Sequence, residues 1–275
     1  MERPREFVFD IPARPGIAIR DNADGPPATP KDAATVILLR DTSDAGVEVF
    51  LQHRVMGMAF AGGMTVFPGG GVDPRDADAS VAWAGPPPSW WAEQFTCDES
   101  LARALVCAAV RETFEESGVL LAGTEDSVVA DVAPYHEARK ALESREISLA
   151  GFLADAGLTL RADLLHPYAH WVTPPQEQRR YDTRFFVAKL PEGQRADGAT
   201  SEAVAAGWQP PAEAVADARE GRRTLMPPTW LTLVELAEFS KADAVLAEPR
   251  EIVKTVPTLV RDGENIRVVL DTSES

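Results

Sequence analysis

The stretch "RETFEESGV", residues 111–119, places Arg111, Glu112, Glu115 and Glu116 within six positions. On a helix, positions i, i+3 and i+4 share a face, so the three glutamates crowd together. Like charges so placed cost a few tenths of a kcal/mol per pair. The helix macrodipole is negative at a C-terminus, which Gly118 marks here, and this adds to the conflict. Two readings are open. The run is a solvated helix face, or the carboxylates are hard oxygen ligands of the kind that suits Mg²⁺ or Mn²⁺.

Other residues could take part in chemistry. Gly69, Gly70 and Gly71 permit close backbone approach that a Cβ would forbid. Arg179, Arg180 and Arg184 cluster in "RRYDTRFF", and guanidinium forks suit phosphate oxygens. On a strand, Arg180, Asp182 and Arg184 share one face, which an Arg-Asp-Arg surface ladder explains equally well. Trp90 and Trp91 pack in the core, meet a second copy in a homodimer, or stack on an adenine or a pantetheine arm. His53, His136, His166 and His170 show no zinc-ligand spacing.

The elements around these residues are readable in outline. Residues 1–33 form an irregular lead-in rich in Pro, Ala and charge. "ATVILLR" (34–40) and "VEVFLQHR" (47–54) read as a hairpin, and "MTVFPGGGVD" (64–73) as a short strand running into a glycine loop. Residues 77–98, with a Pro-Pro-Pro break, read as an insertion. A helix is expected from about Glu99 to Ser117, capped by Asp98 or Thr96 and closed by Gly118. Further helical periodicity covers 135–157 and 212–247, with "RRYDTRFFVAKL" as a strand between them. Strands and helices mix without strict alternation, so the fold class is α+β with a mixed sheet.

The chain of 275 residues is 45% hydrophobic, enough for a sizeable core. Its 43 acidic against 27 basic residues give a net charge of −16, which argues against a nucleic-acid partner. A small phosphorylated substrate remains compatible, because local arginines and cations can reverse the sign of the field within a pocket. Only Cys97 and Cys107 are cysteines, which fits a reducing compartment. No stretch reads as a signal peptide or a membrane span, so a cytoplasmic protein is expected.

"FPGGGVDPRD" followed by "RETFEESGV" resembles the signature of the Nudix hydrolases, G-x5-E-x7-R-E-U-x-E-E-x-G-U with U aliphatic. Gly70 matches the first glycine, and Asp76 stands at the position of the family's glutamate. Arg111, Glu112, Glu115, Glu116, Gly118 and Val119 match the second half. The spacer runs over residues 77–110 instead of seven, and Thr113 replaces an aliphatic residue. The long spacer, "WVTPPQEQRRYDTRFFVAKLP" and the "PPT" at 227–229 are similar to a subgroup that includes the peroxisomal coenzyme A diphosphatases of animals.

The resemblance implies an α/β/α sandwich with helical insertions and Mg²⁺- or Mn²⁺-dependent cleavage of a diphosphate bridge in a nucleoside diphosphate linked to another group. Coenzyme A or an acyl derivative leads as substrate. ADP-ribose and NADH are alternatives, as is a Nudix-fold module that binds without hydrolysis. Glu112, Glu115 and Glu116 would hold metal, with Gly69 and Gly70 bringing backbone groups to metal and phosphate. Arg111 can pair with Glu115, four residues on, and orient the carboxylates. Asp76 would brace Arg111 or be a turn aspartate. Glu202 is a candidate general base, and Arg54, Arg180 and Arg184 are candidate substrate contacts. Arg54 is the retained arginine of a degraded form of the extra signature of coenzyme A-cleaving Nudix proteins, in which Gly63 and FPGG are kept while Val55 and Ala59 replace a serine and a second arginine.

Overall fold

The computed structural model describes residues 9–12, 26–43, 46–57, 61–262 and 265–270. Two strands open it, β1 (Phe9–Pro12) and β2 (Lys31–Asp41). Thus a strand lies inside the expected irregular lead-in, while residues 1–8 and 13–25 fall outside the described residues. β3 (Val47–Arg54) folds back on β2 as the expected hairpin, with Leu39 opposite Val49. β4 (Thr65–Val66) pairs with the end of β3. The glycine triplet is not a loop: β5 (Gly69–Gly71) lies antiparallel to the start of β2, with Gly70 opposite Ala34. A Cβ on Gly69 would stand 2.4 Å from the Ala34 carbonyl oxygen, so only a residue without a side chain pairs this closely.

Residues 77–98 hold β6 (Trp83–Ala84) and α1 (Pro88–Phe95). Trp91 is fully buried, stacked on Phe95 at 6.0 Å and tilted against Phe186 at 5.5 Å, so it is a core residue. α2 (Glu99–Ser117) has the expected bounds. Asp98 caps it by accepting from the Leu101 amide at 2.9 Å, and Gly118 ends it in the left-handed region at φ 71°. Thr96 instead terminates α1.

β7 (Ala122–Gly123) follows. The helical periodicity of 135–157 resolves into α3 (His136–Glu143) and α4 (Leu149–Ala156), with Ser148 capping the second. β8 (Thr159–Arg161), β9 (His166–Val172), β10 (Tyr181–Lys189) and β11 (Ala203–Gln209) come next. The last helices are α5 (Pro211–Arg219), α6 (Pro227–Leu236) and α7 (Ala242–Ala247). β12 (Lys254–Thr255), β13 (Thr258–Asp262) and β14 (Asn265–Val269) are the last elements among the described residues.

The main sheet is mixed and runs β11-β3-β2-β10-β9-β12, with β2 parallel to β10 and antiparallel to β3. β2 is apolar on both faces. Ala34, Val36 and Leu38 enter one core with α1, α2 and α4, while Ile37 and Leu39 enter another with α5, α6 and α7. Period-two alternation makes this a central strand between two helical layers. Each fully buried leucine contributes about 1.5–3 kcal/mol, so the layers are firmly held. Two three-stranded sheets, β1-β14-β13 and β6-β8-β7, lie outside the main one. The fold is the α+β sandwich with a mixed sheet expected from the sequence.

Candidate active site

β3 pairs with only the far end of β2, and β5 occupies the edge that β3 leaves free. The last turns of α2 lie over this junction. A Cβ on Gly70 would meet the Glu112 carboxyl carbon and both oxygens at 2.6 Å. The Gly69 amide donates to Glu116 Oε2 at 2.8 Å. The acidic face of α2 therefore looks onto the glycine strand, not into solvent. Glu115 and Glu116 are buried.

Arg111 joins the two halves of the motif. Its Nε and Nη2 each donate to the Asp76 carboxylate at 3.0 Å, and Nη2 also donates to the Gly71 carbonyl at 2.9 Å. Nη1 reaches Glu112 Oε1 at 2.7 Å and both Glu115 oxygens at 3.3 Å. Asp76 is buried in a 3-10 turn and also accepts from the Asp73 amide. Arg54 forms the second bridge. Its guanidinium pairs with Glu202 and lies 3.9 Å from Glu116 Oε1. Glu202 is thus beside Glu116 although 86 positions separate them in the chain.

Burial raises the pKa of all three glutamates. For Glu112 the Arg111 charge opposes this. Glu115 is pushed up to about 7 by burial and by the charge of Glu112, against the pull of Arg111. Glu116 rises through burial and Glu112, opposed by Arg54 and by the Gly69 amide. Burial would lower the Arg111 pKa, but Glu112, Asp76 and Glu115 hold it above its ordinary value. Five carboxyl groups meet two guanidinium groups here, so with all of them ionised the excess is negative.

That donor set fits a hard divalent cation, and Gly70 leaves open the space beside Glu112 that a Cβ would fill. Among the described residues, no three His, Cys, Asp or Glu side chains are set to hold a metal ion as they stand. In this arrangement Arg111 pairs with Glu112 and Glu115, and Arg54 with Glu202 and, at longer range, Glu116.

Arg180 and Arg184 lie elsewhere. Arg180 donates to the carbonyls of Thr173 and Ala28 at 3.0 and 2.8 Å. Arg184 is buried and paired with Asp32 at 2.8 Å and Asp182 at 2.7 Å. It shares a cross-strand row with Ala34 and Gly70, one strand removed from the glycines.

Residues without a motif complete the arrangement. An α-helix leaves its last four carbonyls without intrahelical donors. In α2 the Phe114 carbonyl accepts from the Gly118 amide, Glu115 from Arg139 Nε at 3.0 Å, Glu116 from Gln52 Nε2 at 2.9 Å, and Ser117 from the Asp197 amide at 2.9 Å. Gln52 had one signal, a polar residue amid the apolar run of β3. Arg139 in "HEARKAL" looks like any solvated helical arginine.

The family model for the NUDT19 Nudix domain matches residues 87–236. Putative nudix hydrolase 7 of Caenorhabditis elegans is 27% identical over 213 residues, covering 78% of this chain and 62% of that protein. The acyl-coenzyme A diphosphatase NUDT19 of Xenopus laevis is 25% identical in an alignment covering 73% of this chain and 62% of that protein. The chain therefore spans about three fifths of the length of these curated relatives. The crystal structure of a NUDIX hydrolase from Alicyclobacillus acidocaldarius superposes with a TM-score of 0.71 at 27% identity, covering 82% of this chain and 98% of that one. The joined half-motifs, the fold and these matches agree: the chain belongs to the Nudix hydrolases, in the family of the NUDT19 Nudix domain.

Proposed function

We propose that this hydrolase cleaves the diphosphate bridge of a nucleoside diphosphate linked to another group, with coenzyme A or an acyl derivative as the leading substrate. Glu112, Glu115 and Glu116, with the backbone of Gly70, would hold Mg²⁺ or Mn²⁺. The chemistry such a cation supplies is charge neutralisation at phosphoryl oxygens and a more acidic water. The observation that carries the reading is the gathering of five carboxyl groups beside β5 with only two arginines among them.

The chain's own groups supply the rest. Arg111, fixed by Asp76 and the Gly71 carbonyl, orients Glu112 and Glu115. Glu202, exposed enough to exchange protons with solvent, accepts the proton of the attacking water. Arg54 stands between Glu116 and Glu202, where it can exchange a carboxylate partner for a phosphate oxygen. Arg180 and Arg184 stay in the proposal as counter-charges, on condition that they release their present partners. The coenzyme A preference is supported by the similarity to the acyl-coenzyme A diphosphatase of Xenopus laevis.

The test is incubation with Mg²⁺ or Mn²⁺ and a panel of coenzyme A, acyl-coenzyme A, ADP-ribose, NADH and dinucleoside polyphosphates, with products identified by mass. Products split at the diphosphate are expected, coenzyme A derivatives giving the highest kcat/KM. Glu116→Gln should lower turnover by orders of magnitude with the fold intact. Unchanged turnover in that variant would remove its metal role.

A further inference from the structure

Helix α3 carries two charged residues one turn apart on the same face, and each holds part of the site from behind. Arg139 is 5% exposed. Its Nε donates to the Glu115 carbonyl at 3.0 Å, and its Nη1 forks onto Asp197 at 2.8 and 3.0 Å. The Asp197 amide in turn donates to the Ser117 carbonyl. The packing here is close: a Cβ on Gly118 would stand 2.7 Å from Arg139 Nη1. Four residues on, Glu143 Oε1 accepts from the Ser201 amide at 3.0 Å and from the Ser201 hydroxyl at 2.6 Å. Ser201 adjoins Glu202, whose carbonyl accepts from the Val55 amide.

We propose that α3 is a positioning strut for the active site, with Arg139 and Glu143 as its two positioning residues. Arg139 fixes the turn of α2 that carries Glu115 and Glu116. Glu143 fixes the 197–202 segment that carries Glu202. Because both are on one rigid helix, the spacing between the two carboxylate groups is set by α3 and does not drift with the loop. The guanidinium of Arg139 also places a positive charge at the C-terminus of α2, where the macrodipole and the glutamates are both negative. The inference rests on the functional reading above, in which Glu116 and Glu202 act on the same substrate.

The experiment compares Glu143→Ala, Glu143→Gln, Arg139→Met and Arg139→Lys with the wild type. Hydrogen exchange at the amides of Asp197 and Ser201 is expected to quicken at least tenfold in Glu143→Ala and Arg139→Met, with β2 and β10 unchanged. Glu143→Ala should lower kcat about tenfold with KM held within about twofold, and Glu143→Gln, which keeps the accepting oxygen, should restore it. Mn²⁺ titration followed by electron paramagnetic resonance should show weaker binding in Arg139→Met by about tenfold. If that variant does not fold, Arg139→Lys carries the comparison, with one hydrogen bond in place of three. Wild-type exchange at Asp197 and Ser201 in Glu143→Ala, or a lower melting temperature with wild-type kcat and Mn²⁺ affinity, would overturn the strut. A wild type without turnover would sink the functional reading instead, and the exchange contrast would still decide whether the strut exists.

Discussion

Arg111 and Asp76, 35 positions apart in the chain, form a two-point ion pair with Nε and Nη2 each 3.0 Å from a carboxylate oxygen. This contact joins the turn after the glycine strand to the acidic end of α2 across the whole intervening segment. Asp76 fills both of its candidate roles, bracing Arg111 and closing its own turn by accepting from the Asp73 amide. Removing one partner of a buried pair leaves the other charge uncompensated. Asp76→Ala should therefore destabilise by about 3 kcal/mol, moderated by the contacts Arg111 keeps to Gly71, Glu112 and Glu115. Chemical denaturation of the variant checks this, and a loss below 1 kcal/mol would show that the brace is dispensable.

Gly70→Ala isolates the steric part of the site. Gly70 is not among the glycines with left-handed backbone, so alanine meets no conformational penalty there. Its Cβ would instead push the Glu112 carboxylate from 2.6 Å. A displacement near 1 Å of a reacting group can cost about a hundredfold in rate. A kcat loss of that order with a melting temperature within a few degrees of wild type is expected.

The raised pKa of Glu115, about 7, gives a pH dependence to the metal-free protein. Its folded-state value lies above the ordinary 4.5, so the fold favours the protonated form. That stability is complete below the ordinary value and is lost as pH rises through about 7. Glu112 and Glu116 shift in the same direction. The melting temperature without metal should fall between pH 5 and pH 8, the Glu115 part amounting to about 3 kcal/mol at most. Millimolar Mg²⁺ should recover it, by about 2.7 kcal/mol at a hundred times the dissociation constant. A flat profile, unresponsive to Mg²⁺, would contradict both the burial argument and the metal role.

Glu202→Gln tests the proposed proton acceptor apart from the carboxylates of α2. Loss of a general base lowers rates by about 10²–10⁴ and removes the corresponding limb of the pH profile. Glutamine preserves the size of the side chain beside Arg54, so the melting temperature should hold. Retention of the wild-type kcat and pH profile would move the role of general base to another group.

Much of the framework could be read from the chain because its causes are local. The bounds of α2 follow from Asp98, an alanine- and leucine-rich run, and Gly118. The β2–β3 hairpin follows from two apolar runs joined by a polar turn. The shared face of Glu112, Glu115 and Glu116 follows from helical geometry, whatever packs nearby. Contacts between distant segments could not be read in this way. Gly69–Gly71 looked like a loop because no propensity marks glycine as a strand former, and pairing with β2 made it one. For Arg180 and Arg184 the chain left phosphate contact and an Arg-Asp-Arg ladder equally open, because an arginine's partner is set by what the fold brings within reach, here Asp32, Asp182 and two backbone carbonyls. Arg139 and Gln52 had no motif because their task, closing the open carbonyls of α2, exists only once α3 and β3 stand beside that helix. The sequence determined the types and order of the candidate site residues. The tertiary structure decided which of them face one another, since burial and opposite charge act on neighbours in space.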